Sequence, residues 1–466
     1  MKKELQTLED FFPASVSLAN RITLLEHRAN PMANILNLSS KTAALYPDLC
    51  GKKGICWRLS HSLMGAFWIL FCSVAYWPKR IKRQSDVPSC EVMIISHLLN
   101  VEQLRDANDF YFGPLASQLK NSGVSVSTVL INHCAATSCE VRHTKKYDRI
   151  VLPKYLSPVQ EGIAILRMVI AAFRIPKAND ALGKRVVWLA RMAQFGSRAL
   201  GDMRIGLLLK DQILWQKPRV ILHTFEGHGW ERILNFVAHQ MVPTVTTFGY
   251  QHAVLLRGDK SISHKHGGGA DPNYFLASGP VTRDLYLNSM QFQKSDALVL
   301  GTTRTSAVDI KPLSPRRGNC LFAPEGVFDE VKLMARVGIE AARLCRERTF
   351  VLRLHPVLNR HRVEQYLGKT PENFLLSNCS LEDDLSMASF VCYRGSTVVL
   401  SGIQAGVRPI YLDIDDKMFF NDPLAIDLPF RKNAKNAKDL VDVMSRSAKK
   451  RKEDDQYKQA LKYVEG

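Results

Sequence analysis

The feature that most constrains the fold is an alternation of strands and helices that occurs twice along the chain. The first alternation begins with the strand-like segment 91–96 and continues to about residue 301. A polar, proline-rich stretch at 311–319 follows, and a second alternation then runs to about residue 412. Alternating strands and helices form βαβ units around a parallel sheet. The sequence therefore predicts an α/β fold of two Rossmann-like lobes with parallel sheets, preceded by a helical N-terminal segment.

The same changes in pattern give the predicted domain boundaries. A chain of 466 residues exceeds the usual size of a single hydrophobic core, so two domains with appended segments are expected. The predicted parts are an N-terminal helical segment (1–88), a first Rossmann-like lobe (89–310), a second one (311–434) and a charged C-terminal helix (435–466). We expect the C-terminal helix to pack back across the lobes.

The N-terminal segment contains an apolar, aromatic run from Leu63 to Trp77, with lysine and arginine residues on both sides. A membrane-spanning helix needs ~20 apolar residues, so this run is somewhat short. A helix lying in the interface fits better, with its aromatic residues at the headgroups and its basic residues on anionic lipid. A buried helix that covers the first lobe would have the same composition, so both interpretations stay open for residues 59–77.

The charge of the chain predicts an anionic partner. Lysine and arginine number 63 against 44 acidic residues, a net charge of +19. Nucleic acid, an acidic membrane surface or a phosphorylated substrate would each fit such a charge. The sequence has no zinc-ligand spacing and no RNA-binding signature, so nucleic acid is not expected. Its ten cysteines are scattered without a CxxC pair and its N-terminus lacks a secretory signal, which indicates a cytosol-facing protein.

Polar or glycine-bearing motifs follow four strands of the second lobe. In an open parallel sheet, ligands bind outside the carboxyl ends of the strands. The expected donor-binding residues are therefore those that follow the strands: Glu325, Arg353, His355, Pro356, Gly395, Ser396, Thr397 and Asp413.

Each of these motifs has a binding interpretation and a structural one. Gly395, Ser396 and Thr397 open a helix and could hold a phosphate there, or could form an ordinary helix cap. Arg353 and His355 could neutralise a phosphate leaving group, or could be an exposed arginine and a core histidine. In the same way, Glu325 and Asp413 could bind ribose hydroxyls or could be solvated turn residues.

The first lobe offers a second pair of candidates. Glu226 follows the predicted strand 220–224, and His252 follows the strand 244–248. A carboxylate opposite a histidine suits glycosyl transfer, because one group can stabilise or activate the reacting carbon while the other moves a proton. Glu226 is preferred to Glu231, which lies inside the following helix and could support it. Helix capping is the alternative role for Glu226.

Four motifs together resemble a known family. The segments EGHGWE (226–231), GYQH (249–252), RLHP (353–356) and GST (395–397) are similar to those of bacterial surface-polysaccharide glycosyltransferases of the GT-B fold. The most similar group is the Kdo-transferase-like and sialyltransferase-like enzymes that carry a His-Pro motif. The resemblance covers roughly residues 215–415, and Ala253 stands where the family pattern has glycine after Gln-His.

The resemblance implies a function and roles for the matched residues. His355, Ser396 and Thr397 would contact the nucleotide phosphate of a CMP-sugar, and Glu226 and His252 would lie at the reacting centre. The first lobe would bind the acceptor, and no metal and no cofactor besides the nucleotide-sugar donor is expected. The acceptor would be lipid-linked or a lipopolysaccharide or capsule chain, and the enzyme would be peripheral on the inner face of the bacterial inner membrane.

Three other functions remain possible from the sequence. A polyol-phosphate transferase of teichoic-acid type would use the same second lobe and the same basic surface. A sugar-nucleotide epimerase would share the two-lobed fold and would convert its substrate without an acceptor. A non-catalytic scaffold in a polysaccharide assembly complex would bind membrane and partners but no nucleotide.

Overall fold

The computed structural model shows two compact units. The described residues up to 301 form the first unit, and those from 311 form the second. The described ranges are 16–34, 55–81, 88–147, 149–252, 265–289, 296–301, 311–313, 319–355, 358–414, 422–424, 426–446 and 450–465.

The first unit is built on a seven-stranded parallel sheet. Its strand order is β3-β2-β1-β4-β5-β6-β7. The central strand β1 pairs in parallel with β2 and β4, so that Val92 lies opposite Val126 and Val220. Most of β1 is buried, as expected for a strand covered on both faces of its sheet. The strands are β1 (Val92–Leu98), β2 (Val126–Asn132), β3 (Ile150–Val151), β4 (Val220–Thr224), β5 (Thr246–Gln251), β6 (Tyr274–Ala277) and β7 (Ala297–Val299).

Helices connect and cover these strands. Residues 181–193 and 197–216 form two separate helices, because Gly196 adopts an extended backbone before the second one begins. At the break, the buried Gln194 amide donates a hydrogen bond of 2.6 Å to the Glu26 carbonyl. The helices are α1 (Leu25–Arg28), α2 (Ile55–Tyr76), α3 (Leu115–Asn121), α4 (Ser138–Thr144), α5 (Pro158–Phe173), α6 (Ala181–Ala193), α7 (Ser197–Gln216), α8 (Gly229–Met241) and α9 (Pro280–Ser289).

Helix α2 is attached to the first unit along one face. Ser62, Ala66, Ile69 and Ser73 on that face are buried. The Ser62 hydroxyl donates to the Met192 carbonyl at 2.9 Å, and the Ser73 hydroxyl donates to the carbonyl of residue 156 at 2.8 Å. The opposite face is exposed, so the buried-helix interpretation describes one side of the helix and lipid contact by the other side stays a prediction. By length and composition the stretch Leu59–Lys79 could cross a membrane, with a mean hydropathy of 1.4.

The second unit is built on a six-stranded parallel sheet of order β10-β9-β8-β11-β12-β13. The strand β13 was not expected from its polar sequence, and it pairs with the buried β12 at the edge of the sheet. The strands are β8 (Asn319–Ala323), β9 (Phe350–Leu352), β10 (Phe374–Leu376), β11 (Ala388–Tyr393), β12 (Arg408–Leu412) and β13 (Lys432–Ala434). The helices are α10 (Phe328–Leu344), α11 (Arg360–Leu367), α12 (Leu381–Met387), α13 (Val398–Gln404), α14 (Ala437–Ser445) and α15 (Lys450–Glu465).

The C-terminal helices are part of the second unit. Helix α14 contributes its buried residues to the same core as α10. In α15, Glu453 pairs with Arg408 of β12 at 2.7 Å, and the Tyr457 hydroxyl donates to the Lys311 carbonyl at 2.6 Å. Two parallel sheets flanked by helices therefore confirm the predicted fold class.

Candidate functional site

Polar side chains of the first unit converge where β1, β2, β4 and β5 end. These strands are parallel neighbours, so their carboxyl ends lie at one edge of the sheet. A cavity of about 170 Å³ opens at this edge. Its lining residues are His97, Leu99, Tyr111, His133, Thr224, Glu226, His228, Glu231 and His252.

Glu226 lies between two histidines in this cavity. One carboxylate oxygen, Oε1, is 3.1 Å from Nε2 of His252, and the other, Oε2, is 3.2 Å from Nε2 of His228. The side chain of Glu226 is 32% exposed, whereas that of His252 is 7% exposed. The structure thus brings together the two residues predicted for the reacting centre and adds His228 to them.

The loop that carries Glu226 is held by the carboxylate of Glu231, at the start of α8. Glu231 is fully buried, and both of its oxygens lie 3.0 Å from the backbone amide of Glu226. Its Oε2 also accepts the backbone N–H of His228 at 2.8 Å. Gly227 between them has a φ of +80°, a conformation that favours glycine. Glu231 therefore supports Glu226, as the sequence predicted.

The electrostatics of the loop keep Glu226 ionised and His228 protonated. Burial alone would raise the pKa of Glu226, but hydrogen bonds with His228 and His252 outweigh it and hold this pKa well below its usual range. Burial lowers the pKa of His228, but the Glu226 hydrogen bond and the nearby Glu231 carboxyl raise it to about 9. Burial raises the pKa of Glu231 itself to about 7. At neutral pH the site therefore presents a carboxylate beside an imidazolium.

Two further histidines line the cavity and were not predicted. Nδ1 of His97 is 2.7 Å from Nε2 of His133, and Nε2 of His97 is 2.7 Å from the Thr224 hydroxyl. Burial, with the neighbouring histidine, lowers the pKa of His97 to about 3, and burial lowers that of His133 to about 4. Both rings are therefore neutral at pH 7. The search for polar residues at the carboxyl ends of strands, which identified Glu226, would also have identified these two. His97 lies near the end of β1, and His133 directly follows β2.

His252 is held by aromatic contacts as well as by Glu226. The Tyr111 ring meets the His252 ring edge to face, with 4.4 Å between the ring centroids. Within the described ranges, Nδ1 of His252 has no hydrogen-bond partner. This ring therefore has one nitrogen bound to the carboxylate and a second, buried nitrogen without a partner among the described residues.

In the second unit, as in the first, a buried acid accepts the backbone N–H of a glutamate that follows a strand. Glu325 follows β8, and its backbone amide donates to Oε2 of Glu330 at 2.6 Å. Glu330 is fully buried, and within the described ranges its other oxygen, Oε1, has no hydrogen-bond partner. Burial raises the pKa of Glu330 to about 8. Both loops share the pattern Glu-Gly-x-x-x-Glu, at 226–231 and 325–330, which the sequence analysis did not single out.

The described part of the RLHP motif, residues 353–355, lies at the same edge of the second sheet. Arg353 follows β9, and its Nη1 bonds to the carboxylate of the buried Asp384 at 2.7 Å and to the Cys379 carbonyl at 2.9 Å. His355 is exposed, contrary to the core position considered for it. Pro356 lies outside the described residues. Part of the Arg353 guanidinium is therefore used in contacts with Asp384 and Cys379 that stabilise the fold. The sequence alone does not show these contacts.

The remaining donor candidates follow β11 and β12. Gly395 and Ser396 are buried, and Thr397 is exposed at the N-cap of α13, where its side chain makes no capping hydrogen bond. Asp413 is exposed, and its backbone amide donates to the Ala434 carbonyl at 2.9 Å. Because β8, β9, β11 and β12 are parallel neighbours, these residues share one edge with Glu325 and Arg353.

Two other features bear on ligand binding. In the described part of the chain, no group of three or more His, Cys, Asp or Glu residues is arranged to hold a metal ion. A second cavity, of about 250 Å³, includes Arg408 and Lys432 in its lining. These residues begin β12 and β13, so this cavity lies at the amino end of the second sheet, away from the predicted binding edge.

The fold and these edges define an α/β protein with two Rossmann-like units, a class that binds ligands at the carboxyl ends of its strands. Solved structures with a similar fold include the glycotransferase of kitacinnamycin (TM-score 0.46, 12% identity, covering 81% of this chain and 96% of that one). The calicheamicin glycosyltransferase CalG4 has a TM-score of 0.47 at 11% identity, covering 81% of this chain and 94% of its own. UDP-GlcNAc 2-epimerase from Neisseria meningitidis has a TM-score of 0.43 at 12% identity, and the match covers 80% of this chain and 95% of the epimerase chain. No family model and no curated protein matches the chain in sequence.

Proposed function

We propose that this protein is a GT-B glycosyltransferase that transfers a sugar from a nucleotide-sugar donor to an acceptor hydroxyl. The observation that carries the proposal is the ionised Glu226 carboxylate held between His228 and His252 at the carboxyl edge of a parallel sheet. Glycosyl transfer passes through a transition state with positive charge on the reacting carbon, which a fixed carboxylate stabilises.

The protonation states assign a role to each of the three residues. A carboxylate with a strongly depressed pKa is a poor base, because a catalytic base works best with a pKa near the working pH. Glu226 therefore acts on the reacting carbon, as electrostatic stabiliser or nucleophile. His228, protonated at neutral pH, holds the Glu226 carboxylate in position through their hydrogen bond. His252 takes the proton of the acceptor hydroxyl as its oxygen bonds to the sugar and the sugar–phosphate bond breaks.

The edge of the second unit is the proposed donor site. The phosphate would bind at Gly395, Ser396 and Thr397, where backbone amides open a helix, with Arg353, His355 and Pro356 beside it. Glu325 and Asp413 would bind the ribose. The exposed Thr397 and Asp413 side chains support this assignment. The motif resemblance favours a CMP-sugar, with a charged leaving group stabilised by the chain's own basic groups.

The acceptor is proposed to be a lipid-linked, lipopolysaccharide or capsule chain at the inner face of the bacterial inner membrane. The net charge of +19 would draw the protein to an anionic surface. No nucleic-acid partner is proposed.

A nucleotide panel followed by product analysis tests the function. Thermal shift with CMP, CDP, UDP, GDP and ADP identifies the donor base, because a ligand at about 100 times its Kd stabilises the fold by about 2.7 kcal/mol. The matching nucleotide-sugar is then supplied with acceptor-containing membranes. Glu226→Gln should abolish transfer and keep the nucleotide shift, while the exposed control Glu102→Gln should keep both.

The other outcomes of this experiment point to other functions. Conversion of the donor without an acceptor would indicate an epimerase. Transfer of a polyol phosphate from a CDP-polyol would indicate a teichoic-acid-type enzyme. Normal transfer by Glu226→Gln would remove Glu226 from the reacting centre, and no shift with any nucleotide would favour the scaffold.

A further inference from the structure

Helix α2 exposes large apolar side chains along the face turned away from the first unit. Phe67 is 70% exposed, Trp68 64% and Phe71 61%. Leu63, Met64 and Val74 continue the same exposed surface. Apolar patches of this kind on a soluble surface mark an interaction site.

Helix α5 carries a second exposed apolar row, which the sequence analysis did not identify. The row consists of residues spaced four, three, four and three apart, the spacing of one helix face. Its far side is buried and includes Ala164 and Met168. The exposed members are Val159, Ile163, Leu166, Ile170 and Phe173, the last of them 80% exposed.

The two helices pack side by side in the first unit. Ala66 and Ile69 of α2 share one hydrophobic cluster with Ala164 and Met168 of α5. Ser73 of α2 bonds to the backbone carbonyl that precedes α5 by two residues. We call the exposed apolar residues of α2 and α5, from Leu63 to Val74 and from Val159 to Phe173, the docking surface.

The exposed charges at the ends of α2 and α5 are mainly positive. Helix α2 has no acidic residue, and the one acidic residue of α5, Glu161, is buried against Arg204. Lys79 is exposed just beyond the end of α2, and Arg174 is exposed at the end of α5. Arg80 lies over the Trp77 ring, 3.1 Å from its centroid. Apolar residues bordered mainly by cations complement an anionic lipid surface, and the exposed Glu140 near Lys79 is the exception at this end of α2.

We propose that the docking surface binds an anionic lipid bilayer, with α2 and α5 lying in the plane of its interface. The buried hydroxyl contacts at Ser62 and Ser73 fix α2 to the protein over eleven residues, a length of about 16 Å. A helix held along one face in this way favours the interfacial position in the proposal over a spanning one, although its length and composition would allow a span. This inference rests on the proposed function, in which the acceptor is borne on a membrane. It adds the surface of the protein that contacts the lipid.

Binding of the purified full-length protein to vesicles tests the inference without nucleotide or acceptor. Vesicles of phosphatidylcholine with 30% phosphatidylglycerol should sediment with the protein, and pure phosphatidylcholine vesicles should bind much less. Ile163→Glu with Phe173→Glu should weaken binding by about tenfold or more, because two charges then face the lipid. Phe67→Glu with Phe71→Glu should act similarly, whereas Leu344→Glu, 56% exposed in the second unit, should change nothing.

Several results would overturn the inference. Wild-type binding by the Ile163/Phe173 variant would remove α5 from the docking surface, and failure of the wild-type protein to bind anionic vesicles would reject the membrane altogether. Retention in cell membranes after alkaline carbonate extraction would show a spanning helix. A dimer in solution that the same variants dissociate would make a second copy the occupant. Because these assays need no turnover, a failed transfer reaction leaves their outcome intact.

Discussion

Both carboxylate oxygens of the buried Glu231 lie 3.0 Å from the backbone amide of Glu226. The second unit repeats this relationship, since Glu330 accepts the backbone amide of Glu325 at 2.6 Å. In each unit a fully buried acid five residues onward holds the loop that carries a half-buried acid. The conformation of the loop, and therefore the orientation of the Glu226 side chain, depends on Glu231, which does not itself need to contact a substrate.

Glu231→Gln should slow transfer and destabilise the first unit. Glutamine keeps one acceptor oxygen but turns an amide group toward the N–H groups of Glu226 and His228. An unsatisfied buried donor costs about 1–3 kcal/mol, measurable by urea unfolding. Glu140→Gln is the matched control, because Glu140 forms the same capping box at the exposed start of α4. Equal effects of the two substitutions would show that Glu231 is an ordinary cap.

Transfer should decline above about pH 9, where His228 loses its proton. The folded pKa of His228 is raised above its unfolded value of 6.5, so its stabilising contribution is complete below pH 6.5 and is lost as the pH rises through about 9. The pKa of Glu226 is lowered, so its contribution is present above pH 4.5 and is lost only at much lower pH. A pH–rate profile of His228→Gln should lack the alkaline decline, and an unchanged decline would assign it to another group.

The neutral pair of His97 and His133 should make the first unit sensitive to acid. Their folded pKa values are lowered, so their contribution to stability is present above pH 6.5 and is lost as the pH falls through about 4 and then about 3. Protonating both rings would set two N–H groups against each other across a 2.7 Å contact. Melting temperature between pH 7 and pH 4 should fall less steeply in His97→Gln than in wild type. The exposed His361→Gln should behave like wild type.

Glu330 should give the second unit the opposite dependence on pH. Burial raises its pKa to about 8, so the stability that it contributes is complete below its unfolded value of 4.5 and is lost as the pH rises through about 8. Glu330→Gln replaces the protonated acid by a neutral group of the same shape. The free energy of unfolding of the second unit should therefore change less between pH 5 and pH 8.5 in this variant than in wild type. If its dependence on pH is the same in both proteins, Glu330 is ionised in the folded state.

Two glycines of helix α7 should respond in opposite ways to alanine. A Cβ at Gly206 would overlap Cγ2 of Ile233 in α8, and overpacking of this kind costs about 1–3 kcal/mol. A Cβ at Gly201 meets nothing within 4 Å, so alanine should stabilise the helix by about 0.5–1 kcal/mol. Urea unfolding of the two variants measures both effects. Similar destabilisation by both substitutions would contradict the close packing of α7 and α8.

The sequence by itself determined the two parallel sheets and the edges where Glu226, His252 and the donor candidates lie. Strand and helix periods are local, and the carboxyl end of a parallel strand is known once the strand is found. The sequence did not predict the short polar strand β13, because this strand forms through its pairing with β12 and not through a pattern in its own residues.

Only the tertiary structure decided which side chains meet. His228 beside Glu226, the His97–His133 pair and the tie between Arg353 and Asp384 all join residues whose contact depends on side-chain direction or on distant segments. The protonation states follow from burial and from those contacts, which no local pattern contains. The same holds for α2, whose composition fits a spanning, interfacial or buried helix. Its buried serine contacts, which come from packing against other parts of the first unit, placed one face in the core and left the other face exposed.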